Sequence, residues 1–163
     1  MTIDKLVALA TEKPKNSRWL GIDLGSKKIG FAITDPNLMI ASPFETMNRR
    51  KFSKDLPVFQ KVIKDYHISS LIFGLPTNMD GKEGRRAQAT RDFALNLSHY
   101  IPCPIVFWDE RLSTAAVMRI MINEADLSRK RRARSVDKMA AAFILQGALD
   151  ALRNHLQKKE KSP

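Results

Sequence analysis

Apolar residues along the chain first come in short blocks and alternations, and later fall into helical spacing interrupted by further short blocks. Residues 18–24 read as a buried strand, Gly25-Ser26-Lys27-Lys28 as a turn, and residues 29–34 as the returning strand. A third strand is predicted over residues 38–46, with Pro43 marking an irregularity or an exposed edge. Leu56, Phe59, Val62 and Ile63 then share one face of a helix ending near Tyr66. Residues 70–73 form a short apolar strand stopped by Gly74-Leu75-Pro76, and the loop to Gly84 is rich in turn formers. A helix carrying Ala87, Thr90, Ala94 and Leu97 runs to about Tyr100, and residues 105–108 make the next strand. That strand leads into Asp109-Glu110-Arg111-Leu112-Ser113-Thr114, where Ser113 can cap a helix showing Val117, Ile120 and Met121 on one side. The basic residues 128–135 read as a loop, and a last helix begins near Val136, apolar through Ala140, Phe143, Ile144, Ala148 and Leu152. This order implies an α/β fold: a mixed sheet, three antiparallel strands followed by parallel ones, flanked by helices. Residues 1–17 are expected as a weakly amphipathic or disordered extension and 157–163 as a basic tail, leaving 18–156 as one domain without internal repeats.

Composition narrows the class. With 163 residues, 44% hydrophobic and 28% charged, the chain has room for one ordinary globular core. No apolar run reaches the roughly 18 residues of a membrane span, and the N-terminus lacks a signal-peptide pattern, so a cytoplasmic protein is expected. The lone Cys103 can form neither an internal disulfide nor a zinc site, and reads as a buried residue leading into a strand. His67, His99 and His155 show no metal-ligand spacing. Lys and Arg number 28 against 17 Asp and Glu, a net charge of +11, which favours a polyanion partner without separating RNA from DNA.

The candidate chemistry lies in carboxylates. Asp23 interrupts an otherwise apolar strand, and alternation puts Leu20, Ile22 and Leu24 on one face, with Trp19, Gly21 and Asp23 on the other. A carboxylate there needs a backbone amide, a lysine or a metal as partner; taken alone, it reads first as a turn-capping acid. Asp109 and Glu110 stand at the end of another apolar strand, where open sheets present catalytic groups, although either can pair with Arg111. Asp137 falls in the first turn of the last helix, favourable for the helix dipole. Yet Asp137, Ala141, Ile144 and Ala148 are spaced i, i+4, i+7 and i+11, which aligns the acid with the buried stripe and points it at the sheet. Three acids on three elements are thus expected to converge at one end of the sheet. Oxygen-only ligation suits Mg²⁺ or Mn²⁺. Two such ions roughly 4 Å apart would activate water and stabilise the leaving oxygen in phosphodiester hydrolysis.

At this point the chain strongly resembles the YqgF family, also called RuvX, of RNase H-like proteins. Four stretches in the family's order carry the match, spanning about residues 18–152. They are Gly21-Ile22-Asp23-Leu24-Gly25 with Gly30 and Asp35; Gly74-Leu75-Pro76-Thr77-Asn78-Met79-Asp80-Gly81; Asp109-Glu110-Arg111-Leu112-Ser113-Thr114; and Val136-Asp137 with Ala140-Ala141 and Ile144-Leu145-Gln146. The resemblance implies an RNase H-like fold with Asp23, Glu110 and Asp137 as the acidic triad, Asp109 remaining a rival to Glu110. It also implies a cytoplasmic nuclease that matures the 5′ end of pre-16S ribosomal RNA, with the ribosomal small subunit as a partner; an older family label is Holliday junction resolvase. The extension before Ser17 and the Val117-Met118 pair look less typical of the family.

Basic residues around the triad fit phosphate handling. Lys27 and Lys28 sit on the turn beside Asp23, while Asn78, Lys82, Arg85 and Arg86 lie in or just beyond the glycine-rich loop. Solvated loop charges account equally well for these. Arg111 adjoins the acids, and Arg129, Lys130, Arg131, Arg132 and Arg134 immediately precede Asp137, which favours nucleic-acid contact. Three other readings compete. A four-way DNA junction resolvase would need a symmetric dimer, and the sequence leaves monomer and homodimer open. An actin-like ATPase or sugar kinase would need a second domain of the same kind. A non-catalytic RNA-binding assembly factor would use the basic surface without the acids.

Overall fold

The computed structural model describes residues 2–78, 80–112 and 129–161. Their elements are α1 (Thr2–Thr11), β1 (Arg18–Leu24), β2 (Lys28–Thr34), β3 (Ala41–Asn48), α2 (Phe52–Asp65), β4 (Ile68–Leu75), α3 (Arg85–Ser98), β5 (Ile105–Asp109), a 3₁₀ turn (Glu110–Leu112) and α4 (Arg129–Lys161). The strands form one sheet in the order β3-β2-β1-β4-β5. β1, β2 and β3 pair antiparallel, and β1, β4 and β5 pair parallel. This is the mixed α/β sheet that the element order implies.

β1 is central and buried on both faces, which is why its sequence is almost continuously apolar. Leu20, Ile22 and Leu24 join Phe31, Phe59, Phe73, Phe93 and Leu97 in a core under α2 and α3. Trp19, on the opposite face, joins Ile72, Val106, Trp108 and the apolar stripe of α4. The expected stripe is realised: Ala141, Ile144 and Ala148 are fully buried. Helix and sheet meet closely because the strands below are bald. A Cβ on Gly21 would lie 2.8 Å from Leu145 Cβ, and one on Gly74 would lie 2.4 Å from Ile144 Cδ1.

Three expectations change. Residues 2–11 form a helix whose Leu6 is fully buried against the α4 side of the sheet, with Ile3, Val7 and Ala10 packed around it. Their i, i+3, i+4, i+7 spacing is the reason. The basic run is no loop: α4 starts at Arg129, because Arg, Lys and Ala are strong helix formers and a charge run does not break a helix. The same helix continues through the basic segment at the other end to Lys161. Ser113 and the helix expected around Val117, Ile120 and Met121 fall outside the described residues, as do the side chains of residues 129–136. Among the described residues, no helix is long and apolar enough to cross a membrane.

Candidate nuclease site

Asp23 occupies the carboxyl end of β1, on the face covered by α4, and is only 4% exposed. Its cross-strand partner is Gly30 on β2. Where Gly30 lacks a side chain, the backbone of Asp137 fills the space: a Cβ there would stand 2.1 Å from the Asp137 carbonyl oxygen. Asp137 is thereby brought beside Asp23, and both line one open cleft together with Gly25, Ser26, Lys27, Lys28 and Arg86.

The rival acids at the end of β5 separate. Asp109 pairs with Leu75 in the sheet register, and its carboxylate accepts hydrogen bonds from Thr77 Oγ1 at 2.8 Å and from the Arg111 backbone N–H at 2.9 Å. The Arg111 guanidinium closes on the same carboxylate, with Nη2 to Oδ2 at 2.7 Å. These bonds, led by the guanidinium, hold Asp109 below the usual carboxylate pKa despite partial burial. Glu110, one residue on, approaches the other side of the sheet: its Cγ lies 3.4 Å from the position a Cβ would take on Gly74. Gly74 follows Phe73, the β4 partner of Ile22, so this places Glu110 across β4 from Asp23 on the α4 face. Asp23, Glu110 and Asp137 therefore flank one end of the sheet, from β1, the turn after β5 and α4. Among the described residues, no three acids, histidines or cysteines close to metal-holding distance.

The basic residues sort by position. Lys27, Lys28 and Arg86 line the acidic cleft itself. Asn78 and Lys82 close a tight turn, with the Lys82 carbonyl accepting from Asn78 N–H at 2.9 Å, and Arg85 opens α3 next to Arg86. None of these three lines the acidic cleft. Arg111 spends its guanidinium on Asp109 and reaches within 3.5 Å of where a Cβ on Gly81 would be, bridging the turn after β5 to the Gly-rich loop. Arg129, Lys130, Arg131, Arg132 and Arg134 lie on the first turns of α4, just before Asp137.

Two contributors escape sequence reading. Arg49 donates from Nη1 to the Gly25 carbonyl at 2.9 Å and from its backbone N–H to the Lys27 carbonyl at 2.8 Å, clasping the turn that carries the cleft lysines. Its guanidinium also lies 5.4 Å from the Phe93 ring centroid. Thr77 ties the Gly-rich loop to Asp109. Neither residue has a spacing that signals its role; the hints are the basic cluster of Arg49, Arg50 and Lys51 after β3 and, for Thr77, its place in the stretch of residues 74–81.

Comparison with known proteins gives consistent matches. The sequence pattern of the family described as "RuvX: Holliday junction resolvase" matches residues 17–151. A Rhodobacter capsulatus protein named "Putative pre-16S rRNA nuclease" is 54% identical over 143 residues, covering 88% of this chain and 89% of its own. One of the same name from Phenylobacterium zucineum is 48% identical over 155 residues, covering 94% and 99%. Among solved structures, T. thermophilus RuvC in complex with a Holliday junction substrate aligns with a TM-score of 0.52 at 12% identity, over 85% of this chain and 96% of that chain. The free T. thermophilus RuvC structure gives 0.51 at the same identity, over 84% and 96%. At such identity the likeness speaks for the fold, which is RNase H-like.

Proposed function

The chain belongs to the family described as RuvX Holliday junction resolvases, and on that premise we propose that it is a cytoplasmic nuclease hydrolysing phosphodiester bonds at the 5′ end of pre-16S ribosomal RNA. One observation carries this reading: a buried acid, Asp23, shares with Asp137 a cleft whose rim is Lys27, Lys28 and Arg86. Acids inside and cations around suit a phosphodiester whose backbone is held while one phosphate is attacked. The relatives' name supplies the RNA, and the net charge of +11 supports a polyanion partner such as the small ribosomal subunit.

The proposed catalytic residues are Asp23, Glu110 and Asp137. Their donor set is carboxylate oxygen only, which suits a hard divalent cation, Mg²⁺ or Mn²⁺, that these acids would hold once drawn in around it. Such ions supply a lowered pKa for bound water and charge neutralisation at the phosphate. The chain's own work is orientation. Lys27 and Lys28 hold the backbone phosphates beside Asp23, on a turn that Arg49 fixes. Arg86 approaches the cleft from the first turn of α3. Asp109 serves as a positioning residue, tying Thr77 and Arg111 together and thereby setting Glu110 and the Gly-rich loop relative to β1.

The family description favours branched DNA as the second reading. Both are tested by incubating the protein with a pre-16S 5′-leader RNA and, separately, a four-way DNA junction, with Mg²⁺, Mn²⁺ or EDTA, beside Asp23→Asn. Metal-dependent RNA cleavage absent in the variant is expected. Paired junction cuts with intact RNA would replace the reading by a resolvase. RNA bound but never cut would replace it by an assembly factor.

A further inference from the structure

A second cleft of about 380 Å³ adjoins the acidic one on the β3 side of β2, lined by Lys28, Glu45, Thr46, Asn48 and Lys138. Sheet register groups part of this lining: Lys28 pairs with Asn48 and Gly30 with Thr46, both on the α4 face. Glu45 pairs with Phe31 just before a β-bulge and borders the cleft from the edge of β3, its carboxylate accepting from the Thr46 N–H at 3.3 Å. Lys138 enters from above, one residue after the Asp137 carbonyl that rests on Gly30. Lys28 lines both clefts, so they form one path from Arg86, past Asp23 and Asp137, to the edge strand β3. A strand that follows this path with its scissile phosphate at the acids lays a neighbouring sugar–phosphate unit in the second cleft.

The lining has two kinds of chemistry. The ammonium groups of Lys28 and Lys138 attract a backbone phosphate. The Glu45 carboxylate can only accept hydrogen bonds, and Asn48 adds an amide carbonyl. An acceptor beside a phosphate path repels a ligand that offers no donor. The phosphodiester and the deoxyribose ring offer none; the donor that ribose adds to the backbone is the 2′-hydroxyl. We propose that Lys28, Glu45, Asn48 and Lys138 form a ribonucleotide subsite next to the scissile phosphate, in which the lysines hold the phosphate and Glu45 with Asn48 accepts the 2′-hydroxyl. The subsite selects RNA over DNA. It rests on the nuclease reading and adds the discrimination that reading lacks.

The test measures binding and cutting separately. Full-length wild type, Glu45→Ala and Glu45→Gln are titrated by fluorescence anisotropy, in EDTA, with a single-stranded leader RNA and the 2′-deoxy strand of the same sequence. Wild type is expected to prefer RNA by about tenfold or more, the effect of one hydrogen bond to a charged acceptor. Glu45→Ala collapses that ratio to near one by weakening RNA alone, and Glu45→Gln, which still accepts, keeps part of it. Because Glu45 is exposed, the variants keep the fold. An unchanged ratio in Glu45→Ala overturns the subsite even if RNA is cut. A ratio that collapses as expected, in a protein that cuts no RNA, upholds the subsite and removes the nuclease reading.

Discussion

Gly30→Ala is the sharpest test of how α4 carries Asp137 to the sheet. A Cβ at residue 30 would meet the Asp137 carbonyl oxygen at 2.1 Å, its carbon at 2.4 Å and Lys138 N at 2.9 Å. All three are backbone atoms, so no side-chain rotation relieves the clash. To restore even a 3.0 Å separation, the start of α4 or β2 must retreat by at least about 0.9 Å. Overpacking of this kind costs about 1–3 kcal/mol. Catalytic groups tolerate roughly 0.5 Å of displacement, and a 1 Å error costs on the order of a hundredfold in rate. Urea denaturation should therefore show a variant that is still folded but weakened by that amount, with cleavage of the leader RNA down about a hundredfold. Gly84→Ala is the control: its new Cβ would meet only the Asn78 amide, at 3.6 and 3.8 Å. It should lose under about 1 kcal/mol, as a helix N-cap change, and keep its activity. If Gly30→Ala matched wild type in both assays, the close seat of Asp137 over Gly30 would be wrong, and with it the pairing of Asp137 with Asp23.

Other outcomes follow from the same geometry. Glu110→Gln should abolish cleavage, whereas Asp109→Asn, which loosens Thr77 and Arg111 without removing a catalytic acid, should cost only about tenfold; equal losses in single-turnover rates would refute their division of labour. Asp35 accepts from the backbone N–H groups of Asn37, Met39 and Ile40. Burial works against its charge, yet these donors together hold its pKa below the usual value. Its contribution is then present above the ordinary carboxylate pKa of about 3.9 and is lost as pH falls through the lower folded value. Asp35→Ala should cost about 1–2 kcal/mol at pH 7 in urea titrations and progressively less in acid. Cys103 is buried with its thiol against the Ile68 carbonyl, and burial pushes its pKa up to about 11. Iodoacetamide at pH 8 should leave it untouched in the native protein and modify it in urea; rapid native labelling would contradict the packing. Lys27→Ala with Lys28→Ala should flatten the salt dependence of RNA binding, the logarithmic slope falling by about 0.7 for each phosphate that is no longer neutralised.

Much of this was legible in the pattern of the chain. The alternation in β1 placed Asp23 opposite Leu20, Ile22 and Leu24, and the helical stripe placed Asp137 in line with Ala141, Ile144 and Ala148. Both are local periodicities with one face buried, and burying apolar surface is what fixes such periods. Cys103 read as buried on other grounds, a lone thiol with neither a disulfide partner nor a zinc site, and it is buried. Boundaries were less legible: charge marked residues 128–135 as loop, although their helix propensity carried α4 back to Arg129.

Tertiary structure alone decided what meets what. Asp109 and Glu110 are neighbours in sequence, and only the break from β5 into a 3₁₀ turn sends one carboxylate to Thr77 and Arg111 and the other toward Gly74. Gly30 shows its purpose only once α4 lies on it. The hold of Arg49 on the Gly25 turn and the cleft that Glu45 and Lys138 both line join residues 24 and 93 positions apart. The periodicity of a sequence encodes which face is buried, because that preference is summed over a few adjacent residues. It does not encode distances between elements, which depend on how closely the whole set of side chains lets helix and sheet approach.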